Sequence, residues 1–137
     1  MAVIEESDNT QTQIKTAFEM ILKSLQEFGL TQTEAKIYMF LAKNGTKKAI
    51  EISKMQGIPR TETYHLLSSL QKKGIVTSTL DRPTKFEGLE FTNALSTLIS
   101  NEQKRIEHLQ EKKENLIQLW SILPVTNSTN TSQSNRI

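Results

Sequence analysis

Between Gly57 and Gly74 the apolar positions recur every three or four residues, which predicts one amphipathic helix. Pro59 suits the first helical position, and Gly74 suits a stop in the left-handed conformation. The inward face consists of Thr63, Leu66, Leu67 and Leu70. The outward face is polar and basic and consists of Arg60, Thr61, His65, Ser68 and Lys72. Such a face suits a helix that enters the DNA major groove, and it is equally typical of an ordinary surface helix.

Two shorter helices are predicted before this segment. Thr31 and Glu34 have the spacing of a capping box, so they predict the start of a largely buried helix that ends at Asn44-Gly45. Thr46 is a plausible cap for the second helix, which has lysines in its first turn and ends in a tight turn before residue 57. Two helices joined in this way predict a helix-turn-helix.

A change of periodicity after Gly74 predicts a β-hairpin. Residues 75–80 are β-rich, 81–84 contain turn markers, and 85–89 form the returning strand. A helix-turn-helix followed by a hairpin is a winged helix. Arg82 and Lys85 at the hairpin tip could reach a phosphate or the minor groove, although two charges at a loop tip are more commonly explained by solvation alone.

A long helix is predicted on each side of this domain. The first runs from about Thr10 to Phe28, after a disordered segment 1–9, and the second from a Thr92 cap to about Leu123, before a disordered tail 124–137. The first helix has a heptad-like apolar stripe, Ile14, Phe18, Ile21, Leu25 and Phe28. The second has a longer seam, interrupted by Glu102 and Lys113, that consists of Leu95, Ile99, Ile106, Leu109, Leu116, Trp120 and Leu123.

These stripes must be buried for the long helices to be stable. The first helix could pack on its own domain or on another long helix. The second could pack on residues 10–28, on the same helix of a second subunit, or on both. A homodimer that combines both contacts is the favoured arrangement. Its predicted interface consists of Ile14, Phe18, Ile21, Leu25, Leu95, Ile99, Ile106, Leu109, Leu116, Trp120 and Leu123.

Composition narrows the class of protein. The chain of 137 residues has no cysteine, which excludes disulfides and thiolate metal sites. Its acidic N-terminus does not resemble a secretion signal, and it has no apolar run of the roughly 20 residues that a membrane span requires. A cytoplasmic protein without cofactor or membrane contact is therefore expected.

An enzyme is not expected, because no Gly-rich phosphate loop or metal-ligand spacing is present. Ser68 and Ser69 have no neighbouring base other than His65, and a solvent-facing helix is their expected setting. The other histidine, His108, lies far along the chain, so a metal or pH-sensing role for His65 is not favoured.

The net charge of +2 becomes informative when it is divided along the chain. Residues 43–86 carry nine Lys/Arg and three Asp/Glu, a net charge of +6, whereas residues 1–42 carry −3 and residues 87–137 carry −1. The positive charge therefore coincides with the predicted helix-turn-helix and wing. A localised basic patch is typical of a protein that binds a polyanion.

An ordered set of short motifs resembles the TrmB family of archaeal winged-helix transcription regulators over about residues 22–95. The motifs are Leu25 with Phe28-Gly29-Leu30-Thr31 and Glu34-Ala35-Lys36-Ile37-Tyr38, then Gly57-Ile58-Pro59-Arg60 with Tyr64, Leu67, Leu70 and Lys73-Gly74, and finally Arg82-Pro83 with Lys85-Phe86. The resemblance implies DNA binding as a dimer. Longer family members carry a C-terminal sugar-binding domain for which this chain has no room, so no small-molecule effector is expected.

The expected site has two layers. Bases would be contacted from the first turns of the predicted recognition helix by Arg60, Thr61, Tyr64 and His65. Phosphates would be contacted by Thr46, Lys47, Lys48, Ser68, Lys72, Arg82 and Lys85. For Arg60 the alternative is a phosphate clamp or a salt bridge to Glu62 or Glu51, and for Tyr64 it is half-buried packing.

The sequence thus predicts a mostly α-helical protein with a small β-hairpin: a winged helix-turn-helix domain, 29–91, between dimerisation helices 10–28 and 92–123. The expected function is that of a sequence-specific, homodimeric, double-stranded-DNA-binding transcriptional regulator. The alternative is a winged-helix scaffold for protein–protein contacts in a transcription-related complex. A scaffold would more typically expose an apolar face where this chain has a polar one.

Overall fold

The computed structural model describes residues 2–126, with side chains described from residue 9 onward. Five helices and three short strands follow one another as α1 (Ala2–Glu27), α2 (Gln32–Asn44), β1 (Lys47–Lys48), α3 (Ala49–Gln56), α4 (Arg60–Lys72), β2 (Val76–Ser78), β3 (Lys85–Gly88) and α5 (Phe91–Ile122). The strands form an antiparallel sheet in the order β1-β3-β2. The winged helix-turn-helix prediction is confirmed.

The predicted signals at three turns are present in the structure. Thr31 Oγ1 accepts from the Glu34 amide at 3.1 Å, and Glu34 Oε1 accepts from the Thr31 amide at 2.9 Å, so the capping box is complete. Gly57 and Gly74 have φ of +66° and +83°, values that favour glycine. Pro59 is the residue just before α4 rather than its first helical residue.

β1 was not predicted, because the sequence pattern placed Lys47 and Lys48 in the first turn of a helix. Both residues instead pair with β3, Lys47 opposite Phe86 and Lys48 opposite Lys85. The strand precedes α3 directly, so it joins the helix-turn-helix to the wing through backbone hydrogen bonds. A winged helix with a three-stranded sheet replaces the two-stranded hairpin of the prediction.

Two predicted helix caps are wrong. Thr46 does not cap α3; the amide of Lys48 donates to Glu51 Oε1 at 2.8 Å, which satisfies one backbone N–H at the helix start. Thr92 does not cap α5; Glu90 accepts from the Thr92 amide at 3.1 Å and from the next amide at 3.0 Å. In both cases a glutamate side chain has the longer reach to the free amides.

The two ends of the chain differ from the prediction in different ways. α1 begins at Ala2, so the segment 2–9 that was predicted to be disordered is helical. The segment contains Ala2, Glu5 and Glu6, and alanine and glutamate are good helix formers. Residues 124–126 follow α5 without regular structure, and the rest of the predicted tail, 127–137, lies outside the described residues.

The apolar core draws on every helix and on two strands. Its members are Leu22, Leu25, Leu30, Ala35, Ile37, Tyr38, Leu41, Ala49, Ile52, Leu67, Leu70, Ile75, Val76, Phe86, Ala94 and Leu98. Leu25 is only 1% exposed, so its assignment to a dimer interface is wrong and it packs on its own domain. Ile21 and Leu95 are half-buried against the same core.

The chain divides after Asn101 into two compact units. The first contains α1 to β3 and the start of α5, whose Ala94 and Leu98 belong to the core. The second contains the remainder of α5, in which every described side chain is exposed. None of the helices in the described part of the chain is long and apolar enough to cross a membrane.

Candidate nucleic-acid interface

α4 is oriented by its buried face. Thr63, Leu67 and Leu70 are at most 1% exposed, and Thr63 Oγ1 also donates to the carbonyl of Pro59 at 2.9 Å. Because these positions recur at helical spacing, the opposite side of α4 faces outward. The predicted inward and outward faces of this helix are therefore as the sequence pattern indicated.

The four residues predicted to contact bases line one shallow surface depression on the first two turns of α4, namely Arg60, Thr61, Tyr64 and His65. All four side chains are exposed, and Tyr64 is 50% exposed. Together they offer a guanidinium, two hydroxyls and an imidazole. These groups donate and accept hydrogen bonds of the kind that base edges in the major groove present.

The salt bridges considered for Arg60 are not formed. In the described part of the chain, one ion pair lies within 4.0 Å, and it joins Lys73 to Glu34. Glu51, one of the two proposed partners, instead accepts the hydrogen bond that begins α3. Arg60 is thus available for a ligand.

The residues predicted to contact phosphates lie on α4, on the strands β1 and β3, and in the loops just before those strands. Ser68 and Lys72 are exposed on α4, and Arg82 is exposed in the turn that leads to β3. Thr46 is exposed just before β1, whereas Lys47, Lys48 and Lys85 are half-buried on the paired strands β1 and β3.

Lys48 and Lys85 are direct cross-strand partners. Side chains in such positions lie about 5 Å apart at Cβ, and like charges there repel each other. A bound anion would relieve this repulsion. The pairing of β1 with β3 therefore produces a local concentration of positive charge that could attract a phosphate.

The C-terminal end of α4 is held by the buried carboxylate of Glu34, whose contacts with this helix were not predicted from the sequence. Glu34 is 3% exposed; its carboxylate accepts a hydrogen bond from Ser69 Oγ and another from Lys73 Nζ, the latter at 2.7 Å. Lys73 Nζ also donates to the carbonyl of Gly29 at 3.0 Å. Burial alone would raise the pKa of Glu34, but these hydrogen bonds and that from the Thr31 amide hold it below its ordinary value.

Ser69 is half-buried in this arrangement, so its predicted solvent-facing setting is wrong. A further contact reaches the same end of α4 from α5, where Asn101 Nδ2 donates to the carbonyl of Lys73 at 2.9 Å. α4 is therefore tied to α2 and to the start of α5 by polar contacts as well as by the core. The one sequence signal for this network was Glu34 itself, whose capping role requires only one of its two oxygens.

The strand side of the interface is fixed by Tyr38. Its hydroxyl donates to the carbonyl of Leu89, just after β3, at 2.6 Å. Burial, with a smaller effect from the nearby Glu90 carboxylate, raises the pKa of Tyr38 to about 12, so the phenol stays protonated and remains a donor. Among the residues that the structure describes, no group of three or more His, Asp or Glu side chains could hold a metal ion.

Comparison with known proteins shows which family this part of the chain resembles. The sequence model of the sugar-specific transcriptional regulator TrmB matches residues 25–92, the segment from the end of α1 to the start of α5. The chain is 50% identical, over 58 residues, to the HTH-type sugar sensing transcriptional regulator TrmBL1 of Pyrococcus furiosus, which covers 42% of this chain and 17% of that protein.

A longer alignment joins the chain to the DNA-binding HTH-type transcriptional repressor TrmBL2 of Thermococcus kodakarensis. The two are 33% identical over 110 residues, which cover 77% of this chain and 42% of the relative. The chain thus spans less than half the length of the curated relatives that it matches.

Comparison of the fold with solved structures leads to the same family as the sequence alignments. The solved structure of TrmBL2, an archaeal chromatin protein with a novel mode of DNA binding, superimposes with a TM-score of 0.60 and 28% sequence identity over 82% of this chain and 45% of that chain. Residues 25–92, which the family model matches, include the helix-turn-helix and the wing. Through residues 25–92, the chain belongs to the TrmB family of winged helix-turn-helix transcriptional regulators.

Proposed function

We propose that the protein binds double-stranded DNA as a sequence-specific homodimer and regulates transcription from the bound site. α4 enters the major groove, and the wing contacts the backbone or the adjacent minor groove. The observation that carries this proposal is the depression on the outward face of α4, where Arg60, Thr61, Tyr64 and His65 lie together, exposed and held by a fully buried opposite face.

The charge distribution supports the same function. The net charge of +6 in residues 43–86 belongs to the segment that folds into β1, α3, α4 and the wing. If a dimer neutralises roughly 6–10 phosphates, its affinity should fall about a thousandfold or more between about 50 and 200 mM salt.

The second compact unit supports a homodimer. In the described part of α5 beyond Asn101, the seam residues Leu109, Leu116 and Trp120 are 45%, 54% and 73% exposed in the single chain. A helix with so many exposed apolar side chains requires a partner, and a second copy brings the same seam. Two α4 helices related by a two-fold axis would read a palindromic site with half-sites about one helical turn apart.

The relative TrmBL2 supports DNA binding with two different outcomes. It is described both as a DNA-binding transcriptional repressor and as an archaeal chromatin protein. A repressor selects a site, whereas a chromatin protein can coat DNA with little sequence preference. The geometry of α4 favours selection, because its exposed groups suit base edges as well as phosphates.

The scaffold alternative lacks a matching surface on α4. A protein–protein interface usually has an apolar core, whereas the outward face of α4 consists of polar and charged side chains. The exposed apolar residues of α5 are better explained by self-association.

The test is fluorescence anisotropy of a labelled random-sequence duplex at several salt concentrations, followed by selection of a preferred site from a random library. Binding that weakens steeply with salt, together with an enriched palindrome, is the expected result. The triple variant Arg60→Ala with Lys47→Ala and Lys48→Ala should lose affinity and salt slope while remaining a dimer. No binding by the wild-type protein at low salt would refute the proposal, and an asymmetric minimal site bound by one chain would refute the dimeric mode.

A further inference from the structure

Glu51 lies among the lysines assigned to phosphate contacts. Its Oε1 accepts from the Lys48 amide at 2.8 Å, at the junction of β1 and α3. The register of the sheet places Lys85 directly opposite Lys48. Glu51, an exposed carboxylate, therefore lies next to the β1–β3 pair that contains three lysines of the proposed site, Lys47, Lys48 and Lys85.

The charges of these three lysines act on the carboxylate of Glu51. The hydrogen bond from the Lys48 amide is the largest influence on the pKa of Glu51. The opposing effect of desolvation comes next, and the positive charges of Lys47, Lys48 and Lys85 follow it; the result is a pKa below the ordinary value. In the described part of the chain, however, none of the three ammonium groups lies within 4.0 Å of a carboxylate. The three lysines thus act on Glu51 without forming an ion pair with it, so their ammonium groups are available for a ligand.

Helix capping alone does not require the charge of Glu51. The amide of Lys48 needs an acceptor oxygen, and a glutamine side chain provides one. A carboxylate at this position also opposes the approach of phosphates to the surrounding lysines. If these lysines contact DNA as proposed, the carboxylate opposes that contact, and its role in capping the helix does not explain why it is charged.

We propose that Glu51 is an internal counter-anion that lowers the affinity of Lys47, Lys48 and Lys85 for DNA phosphates. Contacts with bases then make up a larger share of the binding free energy and decide where the protein stays bound. This inference rests on the proposed function. In the free protein the carboxylate offsets the repulsion between Lys48 and Lys85. On DNA, phosphates replace it as the partners of the lysines, and its charge then opposes binding equally at every sequence.

The variant Glu51→Gln keeps the acceptor and removes the charge. Anisotropy with a random-sequence duplex at several KCl concentrations should show affinity about two- to fivefold higher at low salt and a salt dependence steeper by up to about 0.9 in log–log slope for each chain. The selected site should gain affinity by the same factor. Glu19→Gln, which removes an exposed carboxylate from α1, is the matched control and should leave the affinity for DNA unchanged.

Two further variants separate charge from structure. Glu51→Asp retains the charge while it shortens the side chain, so a gain with this variant would assign the effect to the cap and overturn the inference. Adding Lys85→Gln to Glu51→Gln should reduce the gain, because the carboxylate acts through that lysine. Circular dichroism checks the fold, and Glu51→Asn replaces Glu51→Gln if the latter does not fold.

The outcomes distinguish the inference from the proposed function. A wild-type protein that fails to bind DNA at low salt overturns the proposed function. A wild-type protein that binds, with Glu51→Gln indistinguishable from it, overturns only the role of Glu51.

Discussion

At the scale of residues, Arg60 is the side chain best placed to distinguish bases. It is the first residue of α4, is exposed, and has no carboxylate within ion-pair distance in the described chain. A bidentate contact from arginine to guanine contributes about 1–3 kcal/mol of discrimination. Arg60→Ala should therefore reduce the preference for the selected site over a scrambled duplex by that amount in competition anisotropy.

Two comparisons sharpen this prediction. Arg60→Lys keeps the charge without the planar fork, so it should lose most of the discrimination and little non-specific affinity. Lys15→Ala, at an exposed position on α1, should change neither. Equal losses on selected and scrambled duplexes in Arg60→Ala would assign this residue to a phosphate instead.

Glu34 gives a prediction about stability and pH. Its folded-state pKa is below the ordinary value of 4.5, so its ionised form stabilises the fold fully above about pH 4.5, and that contribution is lost as the pH falls through the folded-state pKa. Glu34→Gln should lower the free energy of unfolding at pH 7 by about 1–3 kcal/mol, because it weakens charged hydrogen bonds to a buried group.

The measurement is thermal unfolding by circular dichroism from pH 7 down to pH 3. The difference between wild type and Glu34→Gln should shrink as the solution becomes more acidic than about pH 4.5. A difference that stays constant over the range would show that lost packing, rather than lost charge, causes the destabilisation. Glu19→Gln supplies the control for a change in net charge.

Residues on a periodic face were easier to predict than residues that meet across the fold. The sides of α4 followed from spacing alone, because a buried position fixes the direction of its neighbours three and four residues away. The contact of Glu34 with Lys73 and the position of Glu51 beside Lys85 depend on how separate elements pack. A single sequence contains no local signal for such proximity.

At the scale of elements, the wing is expected to contribute affinity rather than selectivity. Arg82 lies in the turn between β2 and β3, and Lys85 is the first residue of β3. Replacing both by alanine should weaken binding to all duplexes alike and reduce the salt slope by roughly one for each phosphate contact that is lost. The salt dependence of anisotropy titrations, on random and selected duplexes, measures both effects.

The matched control replaces Lys15 and Lys23 of α1, which removes the same charge from exposed positions outside the proposed interface. An unchanged slope in the wing variant would place these side chains in solvent only. A loss confined to the selected site would instead assign the wing a role in reading the minor groove.

Long helices were predictable as elements because many residues contribute to one periodicity. β1 was not, because it has only two residues, both lysines, and its partner lies beyond α4 along the chain. Lysine is depleted in strands, so its local preference argues against this assignment. The pairing that overrides this preference is a property of the folded domain.

At the scale of the whole molecule, self-association through α5 is the expected basis of dimer formation. Leu116→Glu with Trp120→Glu places charges on the exposed seam and should convert the dimer into monomers in sedimentation equilibrium. Because neither residue belongs to the core of the first unit, the winged helix should remain folded by circular dichroism. Gln110→Glu adds a charge to an exposed polar position of α5 and serves as the control.

The single tryptophan offers a second measurement of the same prediction. Trp120 is 73% exposed in one chain, and burial at a dimer interface should shift its emission to shorter wavelength as the concentration rises. Emission that does not depend on concentration, together with a monomeric mass, would exclude this interface.

The pairing of β1 with β3 also has a consequence for folding. It closes a loop that contains all of α3, α4 and β2, and the entropy of closing such a loop must be offset before the strand pairing becomes favourable. The helices α3 and α4 therefore have to form before β1 can pair with β3. The Lys48 amide is bonded to Glu51, so the amide of Lys47 is the one in β1 that can report this pairing. It should accordingly be among the last in the first unit to gain protection against hydrogen exchange during refolding, and among the first to lose it in native-state openings.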